Sequence, residues 1–255
     1  MSVMKITIIG SGTSTGVPQI GCTCGVCSST NPKDKRLRAS ALIETEDARI
    51  LIDCGPDFRE QVMHLPFKAI DGVLITHEHY DHVGGLDDLR PFCYFGSVAV
   101  FAEGGVAQAL RLRMPYCFAE HRYPGVPDIS LQVVEVNRPF RICHTDILPI
   151  RVMHGNLPIV GYRIGKMAYI TDMLTLPDDS LQQLAGLDVL VVNALRKTPH
   201  HTHQSLQEAL EVAHVVGAKE TYLIHMSHDM GLHDEVNRLL PTHVQLAYDG
   251  MEICL

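Results

Sequence analysis

Six residues, His77-Glu78-His79-Tyr80-Asp81-His82, carry three imidazoles and a carboxylate ready for coordination. They follow directly on the apolar run 73–76, which reads as a strand. A strand ending there delivers alternate side chains to one cleft, and the following turn brings the rest round. Imidazole with carboxylate suits zinc, iron or manganese, not an oxygen-only calcium or magnesium site. Such a centre also needs ligands from distant segments. His154 closes the apolar run 147–153, Asp172 follows 167–171 and His225 follows 221–224. Each is the first strong ligand after a strand-like segment. One such residue in a chain with 15 histidines would mean little, but the same placement repeated along the chain points to one centre.

A second cluster stands nearer the N-terminus, where Cys22, Cys24 and Cys27 crowd three sulfurs together. A disulfide within so short a span would be strained. CxC and CxxC spacing instead suits three thiolates around one tetrahedral zinc, which needs a fourth ligand. His228, three residues beyond His225, is the candidate. A closed site of this kind would be structural, tying the N-terminal loop to the strand end that carries His225. The chain's 8 cysteines read as thiols and metal ligands, not as a disulfide framework.

The elements that must position these groups are short strands punctuated by Gly and Asp. Residues 5–10, 39–44, 49–53, 72–76, 98–102, 131–136, 147–153, 162–164, 167–170 and 189–192 read as strands, with short helices at 57–65 and 87–95. The best-defined helix starts at Ser205, where Ser205 and Glu208 form a capping box. Leu206, Ala209, Leu210, Ala213 and Val216 make its apolar face, and Gly217 stops it. This alternation suits an α/β sandwich of the αββα kind, two mixed sheets face to face with helices outside.

The 255 residues, 46% of them hydrophobic, fit a single domain over 1–255 with a substantial core. A net charge of −8 gives no global attraction for nucleic acid or an anionic membrane. The apolar run 6–9 is too short for a signal-peptide core, and no stretch approaches the roughly 20 residues of a spanning helix. A soluble cytoplasmic protein is expected. The oligomeric state is left open, a homodimer being one option.

The HxHxDH run with a later His, Asp and His resembles the metallo-β-lactamase fold superfamily, over nearly the whole chain. The resemblance implies that His77, His79 and His154 bind one metal, Asp81, His82 and His225 a second, and that Asp172 bridges them. The His/Asp ligand set accepts Mn²⁺ or Zn²⁺, with iron a further option, and the cysteine cluster adds one structural Zn²⁺. Gly-Thr-Ser-Thr-Gly-Val-Pro18 ahead of the cysteine loop is similar to the PhnP-type branch of phosphodiesterases, whose best-known member opens a ribosyl cyclic phosphate. PqqB-type proteins share a similar cysteine loop. PhnP-type and tRNase Z enzymes carry a catalytic His at the place of His203, so the resemblance makes it the general acid, with His200 and His201 as neighbours. Imidazole suits that task because its ordinary pKa lies near neutrality. Asp81 joins it as a catalytic position through the metal.

The expected activity is metal-dependent hydrolysis of a small, cyclic phosphodiester, with no large nucleic acid as partner. The segment 193–200 departs from the branch's pattern, and its Arg196 and Lys197 are local cations able to meet a phosphate. A tRNA-processing nuclease is the first rival, but it would insert a long arm between the His154 and Asp172 positions, where only a short segment stands. A lactonase or β-lactamase leaves the cysteine loop and His203 unexplained. A PqqB-like binding protein often has an impaired ligand set, whereas every position is filled here. A flavodiiron-type protein would need an acid at His79.

Overall fold

The computed structural model describes residues 4–119, 121 and 123–255. Among the described residues fourteen strands form two seven-stranded sheets. The first contains β1 (Lys5–Gly10), β2 (Ser40–Glu44), β3 (Arg49–Ile52), β4 (Gly72–Leu74), β5 (Val98–Glu103), β6 (Ile129–Val134) and the last strand, β14 (Met251–Cys254). The second contains β7 (Phe140–Ile142), β8 (Thr145–His154), β9 (Leu157–Ile164), β10 (Met167–Ile170), β11 (Val189–Asn193), β12 (Glu220–Ile224) and β13 (Val244–Leu246). Both are mixed: β1 runs antiparallel to β2 and β14, whereas β3, β4, β5 and β6 run parallel. In the second sheet β8, β9 and β10 are antiparallel, and β10 to β13 are parallel.

Side-chain alternation makes the layers. Ile50 and Ile52 of β3 face the inter-sheet core with Ile6, Ile8, Tyr162 and Tyr169, while Leu51 between them turns outward to Phe58 and Phe92. On the other sheet Met167 and Tyr169 point inward, and Ala168 and Ile170 meet Ala209 and Ala213 of the helix Leu206–Val216. A period of two that is apolar on both faces yields sheets buried on both sides. The αββα sandwich follows.

The capping box forms as the sequence predicts: the Ser205 N–H donates to Glu208 at 2.7 Å, and Gly217 ends the helix at φ 64°. The helix expected over 57–65 is shorter, Phe58–Val62. The helix expected over 87–95 is instead a 3-10 helix, Leu86–Phe95, with Pro91 inside it. Proline has no N–H for an α-helical bond and its ring crowds the preceding turn, which disfavours regular α-helix there. Among the described residues no disulfide forms, and no helix is long and apolar enough to cross a membrane.

Candidate metal centre

Strand ends at one edge of the sandwich gather the ligand-bearing residues. His77 lies three residues beyond β4, His154 is the last residue of β8, Asp172 lies two beyond β10 and His225 one beyond β12. Asp172 is the hub. Its Oδ1 stands 3.3 Å from His82 Nε2 and 3.2 Å from His225 Nε2, while Oδ2 stands 3.8 Å from His77 Nε2. Asp81 Oδ2 lies 3.2 Å from His82 Nε2 and 3.5 Å from His225 Nε2. The His79 ring is 4.5 Å from that of His77 and 5.2 Å from that of His154.

The Nε2 atoms of His77, His82 and His225 are buried and make no hydrogen bond, although carboxylate oxygens stand close by. Orphaned nitrogens of this kind cost free energy unless something else meets their lone pairs. Two ligands each about 2.1 Å from one tetrahedral ion lie roughly 3.3 Å apart, the spacing seen around Asp172 Oδ1 and Asp81 Oδ2. The residues therefore fit divalent ions.

A further layer sets the tautomers. His82 Nδ1 donates to Asp53 Oδ2 at 2.7 Å, and Thr76 Oγ1 donates to the same carboxylate at 2.9 Å. His77 Nδ1 lies 3.0 Å from Thr76 Oγ1, so Asp53 orients two rings, one of them through a hydroxyl. His154 Nδ1 donates to the Asp172 carbonyl at 2.7 Å, leaving its Nε2 for coordination. Asn193 clasps both backbone groups of Met173, accepting at 2.7 Å and donating at 2.9 Å, which fixes the loop just past Asp172. Sequence reasoning missed Asp53 and Asn193. The signal for Asp53 was present, because it closes a strand-like run with a carboxylate.

Burial alone would raise the Asp172 and Asp81 carboxyls, but the facing histidines outweigh it and hold both well below the ordinary range. Burial opposes charge on His82, yet Asp172 and Asp53 drive its pKa well above the usual value. Burial, then the neighbouring His82 charge, pushes His77 well below it. The site is a packed set of opposite charges in a low-dielectric pocket.

His203 reaches this set from the loop before the capped helix. Its Nε2 lies 3.2 Å from Asp172 Oδ2, and its Nδ1 lies 2.9 Å from Thr202 Oγ1 and 3.3 Å from His200 Nδ1. Burial lowers its pKa to about 4 against the pull of Asp172. The His201 ring lies tilted against that of His200, with centroids 4.3 Å apart. Arg196 is turned onto its own loop, donating to the Thr198 and Pro199 carbonyls at 3.3 and 2.9 Å.

The four predicted residues of the cysteine cluster also converge. Cys22 and Cys24 Sγ each lie 3.3 Å from His228 Nδ1, and the four ligand atoms, with Cys27, lie within 4.8 Å of one another. The Cys27 N–H and the His228 ring hold the Cys24 thiol down at about 6, while burial pushes Cys27 up to about 11. Three sulfurs and an imidazole nitrogen converging this closely make a tetrahedral donor set that fits zinc, whose binding would draw the thiol protons off.

A family model described as a β-lactamase superfamily domain matches residues 48–226. The chain belongs to this superfamily. Within it, the chain is similar over its full length to a solved diphosphatase of the PhnP family, at 39% identity and a TM-score of 0.93, covering 98% of that protein. The PhnP-type reading of the sequence is borne out. A protein named octanoyltransferase from Porphyromonas gingivalis is 45% identical over 98% of this chain, which spans only 51% of that longer relative. A coenzyme PQQ synthesis protein B from Methylorubrum extorquens is 34% identical over 74% of the chain and 72% of its own length. The chain is thus a metallo-β-lactamase-fold protein with a PhnP-family relative, which supports a metal-dependent hydrolase.

Proposed function

We propose that this protein hydrolyses small anionic phosphate esters at two divalent ions, cyclic phosphodiesters foremost. The observation that carries the reading is the division of Asp172, whose two oxygens face different groups of histidine nitrogens. His77, His79 and His154 would hold one ion, Asp81, His82 and His225 the other, with Asp172 between them. When bound, such ions supply Lewis acidity toward phosphoryl oxygens and lower the pKa of a water from about 16 toward 7. Asp53 and Thr76 keep His82 and His77 aimed inward. His203 is the general acid: its ring is fixed between Asp172 and Thr202 at the margin of the ligand set. An anionic phosphoryl group beside the ring favours its charged form, so the proton donor is completed as substrate binds.

The similar solved diphosphatase supports a second phosphoryl substrate, an anhydride, for which the leaving phosphate needs less protonation. The name octanoyltransferase is that of a chain about twice as long, and half of that chain is unmatched here. A tRNA-gripping arm has no place between His154 and Asp172, because β9 and β10 occupy that segment. The test is a hydrolysis screen of Mn²⁺- and Zn²⁺-loaded protein against bis-p-nitrophenyl phosphate, cyclic phosphates and dinucleotide diphosphates, with lactones and thioesters alongside. Phosphate esters should dominate. Faster turnover of a lactone or thioester would overturn the reading.

A further inference from the structure

The outer face of the first sheet, away from the metal ligands, carries a pocket of about 330 Å³ that the proposed reaction does not use. Its walls are apolar, with Leu42, Phe58, Val62, Leu65 and Ile70 among them. Phe67 closes one side in an aromatic ladder, 5.3 Å from Phe92 and 4.9 Å from Phe95. Phe67 is 56% exposed and Met63 62%, so the mouth presents apolar surface to water.

Arg49 sits in this lining although it is only 8% exposed. Its Nη1 donates to the Lys68 carbonyl at 3.2 Å, and Glu44 stands 3.4 Å from Nε, in a position that makes no hydrogen bond. Glu44 is also shared with Lys5 at 3.2 Å. A buried guanidinium with an unsatisfied Nε and a shared counter-ion gains from a further acceptor. Burial already pulls the Arg49 pKa down despite Glu44 and Asp71, so a further negative charge would relieve it. Arg59, exposed, and Asp88 complete the charged lining, giving two arginines against one acid.

We propose that this pocket binds an amphipathic anion, a medium-chain carboxylate, with its tail among the apolar walls and its head toward Arg49 and Arg59. The volume lies at the small end of ligand sites, suiting a chain of about eight to ten carbons. A bulky or polycharged ligand fits less well, because Asp88 and the mostly apolar walls surround the two arginines.

Calorimetric titration of the full-length protein with hexanoate, octanoate and decanoate provides the test, with decanol and decylammonium as head-group controls. Affinity should rise about fourfold per methylene, the value of burying one CH₂. Decanoate should bind at least tenfold more tightly than decanol or decylammonium. Arg59→Glu, at an exposed position, should weaken decanoate at least tenfold without unfolding the protein. Leu65→Trp, which fills the pocket, should abolish binding. No saturable binding of decanoate, equal binding of decanol, or decanoate binding unmoved by both substitutions would each overturn the proposal.

Discussion

Asp53 offers the sharpest test of how the centre is built, because it touches no ion in the proposed scheme. It is fully buried and receives His82 Nδ1 at 2.7 Å and Thr76 Oγ1 at 2.9 Å. Losing one charge-assisted hydrogen bond costs about 1.5–3 kcal/mol, and each 1.4 kcal/mol is about tenfold in affinity. Asp53→Asn keeps the shape and still offers His82 a neutral acceptor, so about tenfold weaker metal binding is expected, at the low end of outer-shell effects. Asp53→Ala removes the acceptor altogether and should weaken binding about 100-fold. The alanine variant also loses about 1–2 kcal/mol of stability, because Asp53 holds φ 59°, a left-handed backbone that Asp and Asn tolerate better. Chelator competition monitored by metal analysis reads the affinity, and thermal melting of the metal-free proteins separates folding from binding. Wild-type metal affinity in both variants would refute the idea that this carboxylate orients the ligands.

Asp172→Ala should lose both active-site ions, because its oxygens face both groups of nitrogens; two ions per chain with full activity would sink the bridging role. Cys24→Ser should lower metal content by one ion and reduce thermal stability, whereas unchanged zinc and melting temperature would rule the cluster out as a metal site. In metal-stripped protein, iodoacetamide should label Cys24 with a rate that rises through about pH 6 and levels off above it, since the thiolate forms as pH exceeds the lowered pKa. Cys27, pushed up to about 11, should stay slow at neutral pH, and added zinc should protect both. His203→Ala should keep both ions but lose about 10²–10⁴-fold in turnover of an ester with an alkoxide leaving group. A p-nitrophenolate ester should lose less; equal losses would move His203 from proton transfer to positioning.

Much of this arrangement could be read from the residues because strands here announce themselves. Runs such as 167–170 and 189–192 are apolar on both faces, and the structure places strands there with ends differing by no more than one residue. The cysteine cluster was legible for a different reason: three of its ligands are neighbours in the chain, and only His228 had to be brought from afar. Elements without such a pattern went unread. Val244–Leu246 is too short for alternation to show, and the helix Gly104–Arg113 opens on two glycines, poor helix formers that mask its start.

The deeper gap concerns where the ligands point. Asp53, Asp172 and His225 all sit just past strand ends with left-handed backbones, at φ 59°, 54° and 57°. The local sequence marks these flips only weakly: Asp and His enter that conformation more readily than most residues, but glycine, the usual one, stands at none of them. Each costs backbone energy, and the surrounding contacts must hold it. At Asp53 the N–H donates to the Leu74 carbonyl at 2.9 Å, and at Asp172 the next residue is clasped by Asn193. Beyond His225 the Met226 N–H donates to Ser11 at 3.0 Å. These partners come from other strands and from the N-terminal segment. The residue types can therefore nominate ligands, but their aim is set by long-range contacts. Two aspartates that follow strands in the same way thus take different parts, Asp172 facing the histidine nitrogens left free and Asp53 holding a histidine from behind.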